Sequence, residues 1–75
     1  MEEKILAILA ELRPDIEVEK EEGLIADGLL ESFDLIQLIA LLENEFGIEI
    51  GSRNITMENF DSIDKIVKMV ENLQR

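Results

Sequence analysis

Ser32, Ser52 and Ser62 are the only serines in the chain, and Ser32 is the one placed to do chemistry. It stands in Gly28-Leu29-Leu30-Glu31-Ser32-Phe33-Asp34-Leu35-Ile36-Gln37-Leu38, where an acidic loop meets the longest hydrophobic run. A hydroxyl at that junction falls at a helix N-terminus, beside backbone N–H groups that have no intrahelical acceptor. Those N–H groups and the helix dipole favour an anion, so the position suits a covalently attached phosphate. On the residues alone two roles fit Ser32. One is a capping hydroxyl worth about 1 kcal/mol, and the other is the acceptor of a phosphate-linked group. Ser62 opens the final helix, where capping explains it, and Ser52 follows a glycine in a loop.

The residue types that are missing narrow the chemistry further. The chain has no His, Cys, Tyr or Trp, and so lacks the usual general base, thiol nucleophile and zinc ligands. Catalysis would have to rest on carboxylates, lysine or a metal, which makes a carboxylate-dependent hydrolase a remote alternative and a non-enzymatic role the expectation. Any thioester must form on an added thiol. Acids and glycines lie close together between Asp15 and Asp34, but no window has the alternating oxygen ligands, central glycine and twelfth-position glutamate of a calcium loop. No dedicated metal site is expected.

The elements that must position Ser32 are helical. Ile5, Ile8, Leu9 and Leu12, with Leu6 beside them, predict an amphipathic helix over about residues 2–12, ended by Arg13-Pro14. Residues 14–31 form a long connection whose Leu24, Ile25, Leu29 and Leu30 are too apolar for a solvated loop and pin it across the helices. Ile16-Glu17-Val18-Glu19 alternates like a strand but has no partner strand. The second helix runs from about Ser32 to Phe46, with Gly47 as its C′ residue and Leu35, Leu38, Ile39, Leu42 and Phe46 as its core stripe. Ile36 and Ala40 share the Ser32 side. Glu49 to Ile55 reads as a loop, Thr56 opens one helical turn through Phe60, and the last helix begins at Asp61 or Ser62. Its core face is Ile63, Ile66, Val67, Val70 and Leu73, and the aromatics expected in the core are Phe33, Phe46 and Phe60. Three long amphipathic helices and one short one, with no strand signal, predict an all-α bundle of four helices, a single domain over residues 1–75.

A domain this small draws only a few kcal/mol from its core, and no disulfide helps. The N-terminus Met1-Glu2-Glu3-Lys4 is charged, the apolar stretch after it is broken by Glu11 and Arg13, and no run approaches membrane-spanning length. A soluble cytoplasmic protein is expected. The net charge of −11 is uneven, with 14 acids and 3 bases in residues 1–51 against 4 of each in residues 52–75. Such a field repels nucleic acid and anionic membranes and attracts basic protein surfaces, although keeping an apolar domain soluble is a sufficient use for it.

Leu29-Leu30-Glu31-Ser32-Phe33-Asp34, followed by Leu41-Leu42-Glu43-Asn44-Glu45-Phe46-Gly47-Ile48-Glu49-Ile50, resembles the acyl carrier protein family over nearly the whole chain. The Gly-Leu-Leu-acid-Ser-Phe form looks more like stand-alone carriers, D-alanyl carriers among them, than the fatty-acid-synthase type. Glu31 stands where the family usually has Asp, and Phe33 where it has Leu. Asp61-Ser62-Ile63 matches the Asp-Ser-Leu triplet better in isolation but opens the wrong helix. The resemblance implies the acyl-carrier bundle, 4′-phosphopantetheine from coenzyme A attached to Ser32, and an acyl or aminoacyl group held on its thiol. It also implies three partners with basic surfaces, namely a phosphopantetheinyl transferase, a ligase that loads the arm, and a downstream acyltransferase. By the resemblance Asp34, Glu43 and Glu45 would meet them, and Glu31, Ile36 and Ala40, close to the attachment point, complete the docking surface expected on a monomer with no membrane insertion. Gln37 and Asn44 are neutral where fatty-acid carriers are often acidic. The alternative is a helical interaction module of carrier fold that takes no arm.

Overall fold

The structure, a computed structural model, describes residues 1–17 and 23–74. It is all-helical among those residues, with α1 (Glu2–Leu12), α2 (Ser32–Phe46), α3 (Met57–Phe60) and α4 (Ile63–Leu73), plus a 3₁₀ turn at Ser52–Asn54 before α3. Both long N-terminal helices have the predicted bounds. Leu12 is the last residue of α1 because Arg13 leaves helical geometry and Pro14 has no N–H to continue the ladder. At the end of α2, Gly47 takes the left-handed conformation, φ 63°, and its N–H bonds to the Glu43 carbonyl. Val18 and Glu19, half of the strand-like alternation, lie outside the described residues.

α1 packs against α2 and α4, and the short α3 packs against α4. Ile5 and Leu9 of α1, Leu38 and Leu42 of α2, and Ile66 and Val70 of α4 are wholly buried together with Phe60 and Leu24. Leu35, Ile39 and Phe46, predicted as part of the α2 stripe, are partly buried at its margins. Met69 joins the α4 face, one position beyond the expected set. Thr56 and Ser62 cap α3 and α4 through their hydroxyls, which accept the N–H groups of Asn59 and Lys65 at 3.2 and 3.3 Å.

One of the two roles open to Ser32 falls away, and one expected core residue is corrected. Ser32 does not cap α2. Glu31 is the N-cap, with φ −94° and ψ 171°, and Ser32 is the first helical residue. Glutamate can take the cap because Asp34, three residues on, reaches back and accepts the Glu31 N–H at 3.2 Å, the returning arm of a capping box. Phe33 is not in the core either; it is 68% exposed, since the second helical position points away from the stripe that Leu35 and Leu38 begin.

Candidate functional site

Ser32 sits on the exposed first turn of a 15-residue helix, in an open depression lined by Gly28, Leu30, Glu31, Phe33 and Asp34. With Glu31 as the cap, the Ser32 hydroxyl is left over. No hydrogen bond engages it among the described residues. The N–H groups of the same turn lack intrahelical acceptors, and the positive end of the helix dipole lies beneath them. Ser62 has the opposite environment, being 8% exposed with its hydroxyl committed to the Lys65 N–H. Ser52 is exposed but begins a three-residue 3₁₀ turn, which offers no comparable helix terminus.

Three contacts deliver Ser32 to this position. At the start of the loop, the Asp61 carboxylate accepts the N–H groups of Ile25 and Ala26 at 2.9 and 3.1 Å, while the Asp61 carbonyl accepts that of Leu24 at 2.8 Å. These amide donors, Ala26 first and then Ile25, hold the Asp61 carboxyl below its ordinary pKa. Between them, Leu24 and Leu30 drop into the core and join through a 2.8 Å bond from the Leu30 N–H to the Leu24 carbonyl. Leu29 and Ile25 pack partly buried beside them, so the four apolar residues do pin the connection. Gly28 makes the turn with φ 74°, a conformation that costs any residue with a Cβ.

The third contact is Arg13. Its Nη1 donates both to the Leu29 carbonyl and to Asp34 Oδ2, the latter at 3.0 Å. The other edge of the guanidinium pairs with Asp15, Nε to Oδ1 at 3.1 Å and Nη2 to Oδ2 at 3.0 Å. Asp15 and then Asp34 raise the already high pKa of Arg13, and Arg13 in turn lowers that of Asp15. In the sequence Arg13 marks only a helix end. The Arg-Pro-Asp spacing was the one local hint of an ion pair.

The six residues expected to face partners are differently placed. Glu31, Ile36 and Ala40 are exposed, Ile36 to 65%. Asp34 is turned inward on Arg13 and the Glu31 N–H, with its side chain 17% exposed. Glu43 accepts the Ile50 N–H at 2.9 Å and so ties the chain after α2 back to that helix. Glu45 meets Lys4 of α1 at 3.4 Å, an exposed pair of small energetic weight. Among the described residues no three acidic, histidine or cysteine side chains converge as a metal site would require, and no helix is long and apolar enough to cross a membrane.

The accessible hydroxyl, the anion-favouring helix start and the open depression leave room for a phosphate-linked group at Ser32. Residues 3–70 match the family model described as the phosphopantetheine attachment site. The chain is 37% identical over 71 residues to D-alanyl carrier protein 1 of Lactiplantibacillus plantarum, covering 93% of this chain and 89% of that one. It is 35% identical over 75 residues to the D-alanyl carrier protein of Streptococcus uberis, covering 99% and 95% of the two chains. With the D-alanyl carrier protein of Lacticaseibacillus casei it shares 32% over 72 residues, 93% of this chain and 89% of the other. The chain therefore belongs to the phosphopantetheine-binding carrier family, whose cofactor is covalently bound 4′-phosphopantetheine.

Proposed function

We propose that Ser32 bears the phosphopantetheine arm and that the protein is a non-enzymatic carrier of a short acyl or aminoacyl group, which it presents to partner enzymes. The observation that supports this most strongly is the contrast between two serines. Ser32 is exposed with a free hydroxyl on the first turn of α2, whereas Ser62, in the better-matching triplet, is buried and bonded. The bound arm supplies a terminal thiol on which the cargo is held as a thioester, a group that the chain itself lacks. The chain's own contribution is placement and recognition. α2 presents Ser32 at the protein surface, its first-turn N–H groups favour the negative phosphate, and water screens the nearby carboxylate of Glu31.

D-alanine is the cargo named for the relatives, and a cargo of that size suits this core. Among the described residues eight large side chains are wholly buried, from Ile5 on α1 to Val70 on α4, and opening space for a long acyl chain among them carries the cost of a cavity. A small group held outside avoids that cost. Partners with basic surfaces (a phosphopantetheinyl transferase, a loading ligase and a downstream acyltransferase) would approach along Glu31, Ile36 and Ala40, with Asp34, Glu43 and Glu45 shaping the field around them. Weak, electrostatically steered docking suits a cytoplasmic monomer that must leave one enzyme to reach the next.

Incubation with coenzyme A and a broad-specificity phosphopantetheinyl transferase, followed by intact mass, tests the reading. The wild-type chain and Ser62→Ala should each gain one arm, and Ser32→Ala none. A wild-type chain that gains nothing points to the alternative, an interaction module without an arm. For the cargo, loading the armed protein should perturb amide shifts around Ser32, Phe33 and Ile36. Large shifts at Leu42, Phe46 and Val67 would mean an inserted long chain.

A further inference from the structure

We propose that Arg13 is a positioning residue for arm attachment, tying the Leu29 carbonyl and the Asp34 carboxylate to the end of α1 and thereby setting the loop and helix that flank Ser32. The inference rests on Ser32 being the acceptor. One nitrogen, Nη1, holds both groups, and they bracket the acceptor: Leu29 three residues before it, Asp34 two after. The chain changes from loop to helix between those points, so the direction in which the first turn of α2 leaves the loop depends on where Arg13 holds them. Asp34 also fixes the cap through the Glu31 N–H, which extends the grip of Arg13 to the residue next to Ser32.

Charge gives the same residue a second use. In the attachment step the Ser32 hydroxyl oxygen bonds to the pantetheine-side phosphorus of coenzyme A. The P–O bond to the other phosphate breaks, 3′,5′-ADP leaves, and the hydroxyl proton passes to a base on the transferase. A diphosphate at Ser32 brings negative charge towards Asp34, whose carboxylate is offset by the guanidinium at 3.0 Å. Charge-assisted bonds of this type are among the stronger polar contacts, and at 24% side-chain exposure Arg13 is partly shielded from water. The pairing with Asp15 lies on the other edge of the guanidinium and touches neither Leu29 nor Asp34. Staple and positioner can therefore be separated.

The experiment compares Arg13→Gln, Arg13→Lys and Asp15→Ala with wild type by initial rate of mass gain at varied carrier concentration, with melting curves and amide spectra of the same samples. Arg13→Gln should lower kcat/KM for the carrier about tenfold and shift the Glu31 and Ser32 amides. Arg13→Lys, whose ammonium can take the place of Nη1, should stay within about threefold of wild type. Asp15→Ala should leave rate and both amides unchanged whatever it does to melting. If wild type takes the arm and Arg13→Gln takes it equally fast, the inference is overturned. Rates that follow melting temperature across all three variants overturn it as well, because Arg13 is then a staple only. A wild-type chain that takes no arm defeats the attachment reading first, and this inference with it.

Discussion

At the scale of single residues, the structure turns on which polar side chain is free. Two serines begin helices, and the one that matches the family triplet better is the one whose hydroxyl is occupied. Ser62→Ala should cost about 1 kcal/mol, the usual worth of an N-cap, in chemical denaturation. It should leave the attachment rate unchanged. Ser32→Ala should cost little stability, because Glu31 holds the cap position. Asp61, adjacent to the buried cap, has turned away to the Ile25 and Ala26 amides, and its pKa is lowered by them. A depressed folded pKa means that the stabilisation is complete above the unfolded carboxylate value of about 4 and is lost as pH falls through the lower folded value. Melting curves of Asp61→Ala should therefore lie below wild type at pH 7 and converge on it in strong acid. A gap that is unchanged between pH 7 and pH 2 would show that the carboxylate's charge contributes nothing there.

At the scale of elements, the helices were legible and their connections were not. Periodic Ile and Leu gave α1 and α2 with their observed bounds, because amphipathic spacing is a local property and Pro14 and Gly47 punctuate it. The loop before Ser32 was legible only as apolar and therefore pinned. What pins it reaches across 36 residues from Asp61 to Ile25 and 16 from Arg13 to Leu29, and no local pattern announces such bonds. Phe33 misled because hydrophobicity alone placed it inside, whereas its helical angle places it outside. Between the two roles open to Ser32 the sequence could not choose, because serine is a common cap, yet here Glu31 with Asp34 completes the box. Two glycines make a matched test of the loop's role. Gly28 and Gly47 both have positive φ, and a Cβ at either would touch nothing within 4 Å, so alanine at each meets backbone strain alone. Each substitution should cost about 1 kcal/mol in denaturant titration. Only Gly28→Ala should also slow arm attachment, since Gly47 lies at the far end of α2. Equal attachment rates for the two variants would mean that the loop does not set the acceptor's position.

At the scale of the whole molecule, the excess charge lies with the site. All of the net −11 belongs to residues 1–51, the part that contains α1, the loop and α2. A partner with a basic surface would be steered to that side, and the steering should weaken as the Debye length falls from about 10 Å at 0.1 M salt to about 3 Å at 1 M. Attachment should slow severalfold over that range, and Glu31→Lys should slow it at the lower salt. Insensitivity to both would assign recognition to exposed apolar contacts such as Ile36 and Phe33. Residues 52–75 carry no net charge, and α3 and α4 close the core through Phe60, Ile66 and Val70. The acceptor proposed for the arm is Ser32, and not Ser62. Tandem mass spectrometry of the armed wild-type protein tests it most directly. Every arm-bearing fragment should contain Ser32, and fragments with Ser62 or Ser52 should be unmodified; an arm on Ser62 would overturn the assignment.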